Sequence, residues 1–238
     1  MGLNEKFFVS AASSPAPSNS TLFLDPSNIN SYSGTGTTWT DLSTNGNNAT
    51  LTNMTFIGTA GTNGYFKINN RTTSYARLPA NIPSLGWGND QTTDLSFSLW
   101  YYPTAASLFS YVFNKTNEYA LIDEPGANRL FLLLRNSSGG NVSITQITKP
   151  ARNQWHNIII TLQATSTGVK LYNNNSTGSA VPGSGYGIMP NAMSTTNQLS
   201  IPTSPYASVN DRIAKFSCYN TVLTQTEMAD IFNAGHGA

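Results

Sequence analysis

Aromatic rings placed in loops are the side chains of this sequence best suited to chemistry, and the chemistry is recognition. Carbohydrates are held by ring platforms under the apolar faces of sugars, backed by amide and carboxylate hydrogen bonds. Trp87 stands in Leu85-Gly86-Trp87-Gly88-Asn89-Asp90, where glycines on both sides read as a loop. With Asn89 and Asp90 it makes the leading candidate contact. Tyr186 and Tyr206, flanked by Gly or Pro, are further candidates. Trp39, Trp100 and Trp155 fall in strand-like runs and read as core.

Bond-breaking constellations are harder to find. Asp123 and Glu124 are adjacent, so on a strand they point to opposite faces. His156 and His236 have no motif partners, and His156 reads as a structural histidine. The paired cysteines or HExxH pattern of a zinc site do not occur. The nucleophile elbow Gly-x-Ser-x-Gly and the phosphate loop are missing as well. Gly183-Ser184-Gly185-Tyr186-Gly187 lacks the lysine and the following helix of a phosphate loop and reads as a plain loop. Cys218 sits in a strand-like run and reads as a small buried hydrophobe; as the single cysteine it leaves no internal disulfide.

The elements that would position these residues are short strands. Candidates are Thr21–Leu24, Thr38–Leu42, Ala49–Thr52, Tyr65–Ile68, Tyr75–Leu78, Leu95–Tyr102, Tyr111–Asn114, Tyr119–Ile122, Arg129–Arg135, Val142–Ile147, Trp155–Leu162, Val169–Tyr172, Gln198–Ile201 and Arg212–Tyr219. Many short strands separated by Gly, Asn, Pro and Ser signal a sandwich or barrel. In Leu95–Tyr102, Leu95, Phe97, Leu99 and Tyr101 share one face, and Ser96 and Ser98 lie on the other, ahead of Trp100 and Tyr102. Phe131–Leu134 and Ile158–Ile160 are apolar on both faces and should lie centrally. Asn45-Gly46 suits a type I′ hairpin; Ser138-Gly139-Gly140 and Thr167-Gly168 should also turn the chain. Thr224-Gln225-Thr226-Glu227 is a capping box, and Met228, Ile231 and Phe232 form the apolar stripe of one helix, which Gly235 ends. This helix should plug the sandwich near its C-terminal strand.

Composition agrees. Of 238 residues, 39% are hydrophobic and 11% aromatic, enough for a sizeable core. Only 10% are charged, and the net charge is +1. The scattered Lys and Arg give no basic stripe, so nucleic acid is not an expected partner. No apolar window reaches membrane-spanning length, so membrane insertion is not expected. Met1–Phe8 carries Glu5 and Lys6 and does not read as a secretory leader. Residues 1–20 read as an extension and linker, with an apolar tip at Phe7, Phe8 and Val9 that could anchor to a partner. Residues 21–238 read as one domain.

Three stretches resemble the laminin-G-like, concanavalin A-like superfamily. The first is Leu24-Asp25, then Tyr32 to Ser43 with Trp39-Thr40-Asp41-Leu42-Ser43, then Asn45 to Leu51. The second is Phe97-Ser98-Leu99-Trp100, with Trp155-His156-Asn157 and Val169-Lys170-Leu171-Tyr172. The third is Arg212-Ile213-Ala214-Lys215-Phe216 through Tyr219-Asn220, Leu223-Thr224 and Glu227. The resemblance implies an all-β antiparallel jelly-roll sandwich of two packed sheets with one short C-terminal helix. Some glycosidases that share this fold carry their acid and nucleophile on one strand as Glu-x-Asp-x-x-Glu, a triplet absent here, so no enzyme is expected. Related domains sometimes hold calcium, which takes oxygen ligands. Asp25, Asp41, Asp90 and Asp211 are the candidates, with turn capping as the other reading of Asp25 and Asp41.

The first functional expectation is a non-enzymatic virion component, a capsid decoration, fibre or spike domain. It would sit on the virion surface with a capsid protein or a second copy of itself as partner, and with host glycans as ligands. The alternative is a secreted or cell-surface carbohydrate-binding module.

Overall fold

Period-two alternation decides the architecture. A strand with apolar residues on one parity buries one face, and two such sheets cover each other. The computed structural model describes residues 17, 19–85, 94–104, 109–135, 141–163, 169–174, 181–182, 197–202 and 208–235, with backbone only for 141–144 and 181–182. Within these the strands are β1 (Ser20–Leu24), β2 (Thr38–Trp39), β3 (Ala49–Thr52), β4 (Met54–Ile57), β5 (Tyr65–Ile68), β6 (Tyr75–Arg77), β7 (Leu95–Tyr102) and β8 (Ser110–Lys115). They continue as β9 (Tyr119–Glu124), β10 (Arg129–Arg135), β11 (Asn141–Thr148), β12 (His156–Leu162), β13 (Val169–Asn173), β14 (Val181–Pro182), β15 (Leu199–Ile201) and β16 (Arg212–Tyr219), followed by helix α1 (Gln225–Asn233).

Two antiparallel sheets result. The seven-stranded sheet runs β13-β12-β7-β16-β5-β4, with β1 also paired to β16. The nine-stranded sheet runs β14-β11-β10-β9-β8-β15-β6-β3-β2. Their facing sides share one core, in which Trp39, Phe66, Phe97, Phe113, Leu132, Ile160 and Phe216 are fully buried. Each large side chain removed from water contributes roughly 1.5–3 kcal/mol. The expected all-β sandwich with a short C-terminal helix is the observed fold. As expected, β10 and β12 lie inside their sheets. Their second apolar faces form separate clusters, Phe131 and Leu133 with Ala120 and Ile122 in one, and Ile159 with Tyr219, Leu223 and Met228 in the other.

Some local expectations need correction. The strand read at Thr38–Leu42 stops at Trp39, because Asp41 turns inward to accept from the backbone N–H groups of Phe23, Ser43 and Asn47. Asn45-Gly46 is not a type I′ hairpin. That turn needs positive φ at both central residues, and of the two only Gly46 (φ 66°) has it. The Asp41 carboxylate, not the dipeptide, organises this connection. The turns expected at 138–140 and 167–168 lie outside the described residues. The edge strand β4 has no clean alternation and is intermediate in burial throughout.

Helix α1 begins at a complete capping box: the Glu227 N–H donates to Thr224, and the Thr224 N–H donates to the Glu227 carboxylate at 2.8 Å. Gly235 follows it at φ 61°. The helix does not plug the gap between the sheets. It lies on the outer face of the seven-stranded sheet, where Met228 packs against Ile159, Tyr219 and Leu223. Among the described residues no helix is long and apolar enough to cross a membrane.

Candidate functional site

Residues with outward parity on the seven-stranded sheet build a patch of rings and cations. Register places them in one row. His156 pairs with Tyr101, so Trp155, just before β12, stands beside Tyr102. Arg212 pairs with Tyr102 on one side and with Lys67 on the other. Tyr65 lies two residues before Lys67 on the same face of β5. Trp155 meets Tyr65 and Tyr102 edge-on, with centroids 5.5 and 5.4 Å apart. The Arg212 guanidinium lies 4.2 Å from the Tyr102 centroid and 5.1 Å from that of Tyr65. The two tyrosines are thus bridged by an indole and by a cation, and all four side chains are half-buried. The local backbone supports this. The Asn153 N–H donates to Pro103 O, tying the approach of Trp155 to the end of β7. Gly64, before Tyr65, has no room for a side chain, since a Cβ there would lie 2.3 Å from Pro26 O.

Along the same face, Trp100 and Ser98 lead under α1. Here Phe232 stacks on Trp100 at 5.8 Å with the rings 16° from parallel. A cavity of about 400 Å³ opens between helix and sheet, lined by Phe23, Ser98, Trp100, Lys215, Ser217 and Ile231 among others. Lys215 is 3.5 Å from the Asp25 carboxylate.

On the core side, the next residues along the chain make a different cluster. Tyr101 reaches across the sandwich to bring together two acids. Its hydroxyl lies 2.6 Å from Asp211 Oδ2 and 3.0 Å from Asp123 Oδ2. Arg152 forks onto Asp123 through both terminal nitrogens. Asp211 also accepts from the Thr104 N–H and hydroxyl, at 2.6 and 2.8 Å. Burial raises the Asp211 carboxyl to about 6, against the lowering effect of these hydrogen bonds. Burial, then the charges of Asp211 and Asp123, pushes the Tyr101 phenol well above its ordinary value. A phenol has one proton for two acids, so below about pH 6 a proton on Asp211 completes the chain from Asp211 to Tyr101 to Asp123. Each acid is only 2% exposed, and the cluster's oxygens are committed to protein donors.

The residues named from sequence fare differently. Trp87, Asn89, Asp90, Tyr186 and Tyr206 lie outside the described residues, as do Phe7, Phe8 and Val9. Trp39 is core. Trp100 is buried on the outer face, under α1, and Trp155 is half-exposed and precedes its strand; neither is in the core between the sheets. His156 is structural, its ring nitrogens 2.8 Å from Ala151 O and 3.0 Å from Asn173 Oδ1. Burial, then the charge of Asp41, pushes the Cys218 thiol well above its ordinary value, which suits a core side chain. Asp25, Asp41 and Asp211, the described calcium candidates, all accept hydrogen bonds from protein donors. Asp25 holds the Ser27 N–H and hydroxyl, Asp41 caps its turn, and Asp211 holds Thr104 and Tyr101. Among the described residues no three His, Cys, Asp or Glu side chains gather as metal ligands. Sequence reasoning missed Tyr65, Tyr102, Trp155 and Arg212. The available signal was an aromatic on the polar parity of β7, where Tyr102 continues the Ser96, Ser98, Trp100 series.

Two antiparallel sheets packed core to core, with one short helix on an outer face, define a lectin-like jelly-roll domain. The chain belongs to the Concanavalin A-like lectin/glucanases superfamily, whose laminin-G family model matches residues 61–229. Solved structures agree at the level of fold. The receptor binding domain of a botulinum neurotoxin C/D mosaic serotype superposes with a TM-score of 0.69 at 12% identity, over 91% of this chain and 51% of that one. The botulinum neurotoxin serotype G binding domain gives 0.65 at 16% identity, over 90% and 50%. Trypanosoma rangeli sialidase in complex with sialic acid gives 0.66 at 12% identity, over 94% and 35%. The chain therefore spans about half the length of the neurotoxin domains and about a third of the sialidase. No curated protein matches the sequence.

Proposed function

We propose that this chain is a non-enzymatic carbohydrate-binding module that receives a glycan on the outer face of its seven-stranded sheet. The observation that carries this reading is the half-exposed group in which Trp155 meets both Tyr65 and Tyr102 edge-on, beside the cross-strand row from Trp155 to Lys67. Rings of this kind offer flat apolar area at little entropic cost, because each has few rotamers to freeze. Successive strands are about 4.8 Å apart, so the row from Trp155 to Lys67 spans roughly three such steps, enough for two or three sugar units. Binding domains among the structural neighbours agree with this reading at the level of fold. The acid cluster around Tyr101 supports binding without cleavage, since its carboxylates face protein donors and not an open cleft.

A virion surface is the setting we propose, with a capsid protein or a second copy of the chain as partner. It is supported by the low charge and by the apolar Phe7–Val9 tip on its Ser/Pro linker. Finding the chain in purified particles tests it. A secreted or cell-surface module is the alternative setting.

The site is tested by glycan-array screening followed by calorimetric titration of the best ligand. Trp155→Ala should weaken binding at least about tenfold, roughly 1.4 kcal/mol, with the circular-dichroism spectrum unchanged. Equal affinity of the folded variant and the wild type would remove the platform from the site. A loss seen with Trp87→Ala alone would move it to the loop.

A further inference from the structure

Charge is distributed unequally between the two sheets. Among the described residues, the strands of the seven-stranded sheet contain Lys67, Lys170, Arg212 and Lys215 and no Asp or Glu. The nine-stranded sheet carries Asp123 and Glu124 beside its own Lys and Arg. Of the four cations, Lys215 reaches the Asp25 carboxylate just beyond β1. Arg212 and Lys67 face each other across a strand pair in the platform row, and among the described residues neither has a carboxylate partner. The helix acids Glu227 and Asp230 stand toward the Ser217 and Tyr219 end of the face, beside the cavity under α1.

The geometry of Arg212 adds a direction to this charge. A guanidinium against a ring uses its flat face for the contact, while its donors lie in its own plane and remain available. The Arg212 guanidinium carbon lies over two tyrosine rings, and among the described residues no acceptor takes its N–H groups. The fork of donors matches a carboxylate, which it can grip with two parallel bonds.

We propose that the ligand of this platform is an acidic glycan, and that Arg212, assisted by Lys67, receives the carboxylate of a sialic or uronic acid unit. This rests on the carbohydrate-binding reading above. The rings hold the apolar face of the sugar while the two cations select its charge. Two opposed cations without an acid between them are electrostatically unfavourable in the free protein, and an anion placed against them relieves the repulsion.

The experiment titrates wild type, Trp155→Ala, Arg212→Gln, Arg212→Lys and Lys67→Gln with 3′-sialyllactose, a glucuronate-containing disaccharide and neutral lactose. Thermal melts confirm that each variant is folded. Wild type should prefer at least one acidic sugar over lactose by tenfold or more, and which one it prefers identifies the source of the carboxylate. Arg212→Gln should erase the preference, lowering affinity for the acidic sugar at least about tenfold more than affinity for lactose. Arg212→Lys should recover part of it, since the charge returns without the fork. Lys67→Gln should lower it by a smaller factor. Raising salt from 0.05 to 0.5 M should weaken the acidic ligands and spare lactose. Equal wild-type affinity for acidic and neutral sugars would overturn this inference and leave the platform reading standing. Unaltered binding of every sugar by Trp155→Ala would overturn both.

Discussion

Tyr101 and Tyr102 are chain neighbours, and so are Asp211 and Arg212, yet the two pairs live in opposite regimes. Tyr101 and Asp211 point inward. They join Asp123, Arg152 and Thr104 in a closed polar knot between the sheets. Tyr102 and Arg212 point outward and meet Trp155, Tyr65 and Lys67 in a patch open to solvent on one side. Period-two alternation hands adjacent residues to different media. Inside, a charge must find its partner within the protein, because desolvation costs several kcal/mol. Outside, water supplies the partner, and a cation can stay uncommitted at little cost until a ligand arrives. The knot is thus closed within the protein, while the patch keeps rings and cations at the surface.

The largest effect should come from opening the knot. Arg152→Ala removes the cation that forks onto Asp123 and leaves a carboxylate at 2% exposure without its counter-charge. Removing one partner of a buried pair costs about 3–5 kcal/mol. Urea denaturation should show a loss of that size. Sugar affinity of the folded variant, measured well below its melting temperature, should stay near wild type. A loss below about 1 kcal/mol would mean that water reaches Asp123 and that the knot is less closed than its exposure indicates.

Next in size is a pH dependence. Asp211 has a folded-state value of about 6 against an ordinary 3.8, so the native state holds this proton more tightly than the unfolded chain does. Between about pH 4 and 6 the native state carries the extra proton, and by linkage the unfolding free energy falls as pH rises through that window. The stabilisation is fully present below 3.8 and lost above about 6, on the order of 3 kcal/mol for a shift of this size. Other acids titrate in the same range, so the readout is a difference. Wild-type stability minus that of Asp211→Asn, from urea curves between pH 4 and 7, should decline with rising pH. A flat difference would show that Asp211 is ionised throughout, with Tyr101 donating to it alone.

This division between knot and patch was only half legible in the sequence. Alternation in β5, β7 and β16, and the uninterrupted apolar run of β10, are clear enough to give those strands their observed bounds, and Ser96, Ser98 and Tyr102 mark one parity as the outer one. The C-terminal helix was legible because a capping box is a local signal. Register is not local. Tyr101 meets Asp211 at a separation of 110 residues, and no pattern within either segment announces the other. Trp155 was read as core because a tryptophan before an apolar run fits that expectation. Its half-exposure follows from standing one residue ahead of β12, where β7 ends and the sheet stops covering it. The loop aromatics that sequence favoured, Trp87 among them, lie outside the described residues, so the platform came from pairing and not from loop composition.

The smallest expected effect bears most directly on why the patch exists. Lys67 and Arg212 are Cα partners across β5 and β16, on the same outer face. Like charges directly opposite one another on a strand pair are destabilising by a few tenths of a kcal/mol. Surface substitutions away from special features otherwise fall within about 0.5 kcal/mol of neutral. Lys67→Gln should therefore stabilise the free protein by roughly 0.2–0.5 kcal/mol at low ionic strength, and the gain should shrink as salt screens the pair. Thermal melts in 0.02 and 0.5 M salt measure it. A pair of cations that weakens the fold, and whose relief weakens acidic-sugar affinity, is held in place for its ligand. Destabilisation by Lys67→Gln would mean instead that the lysine stem packs on the rings for structural reasons, and the contrast with the knot would lose its functional meaning.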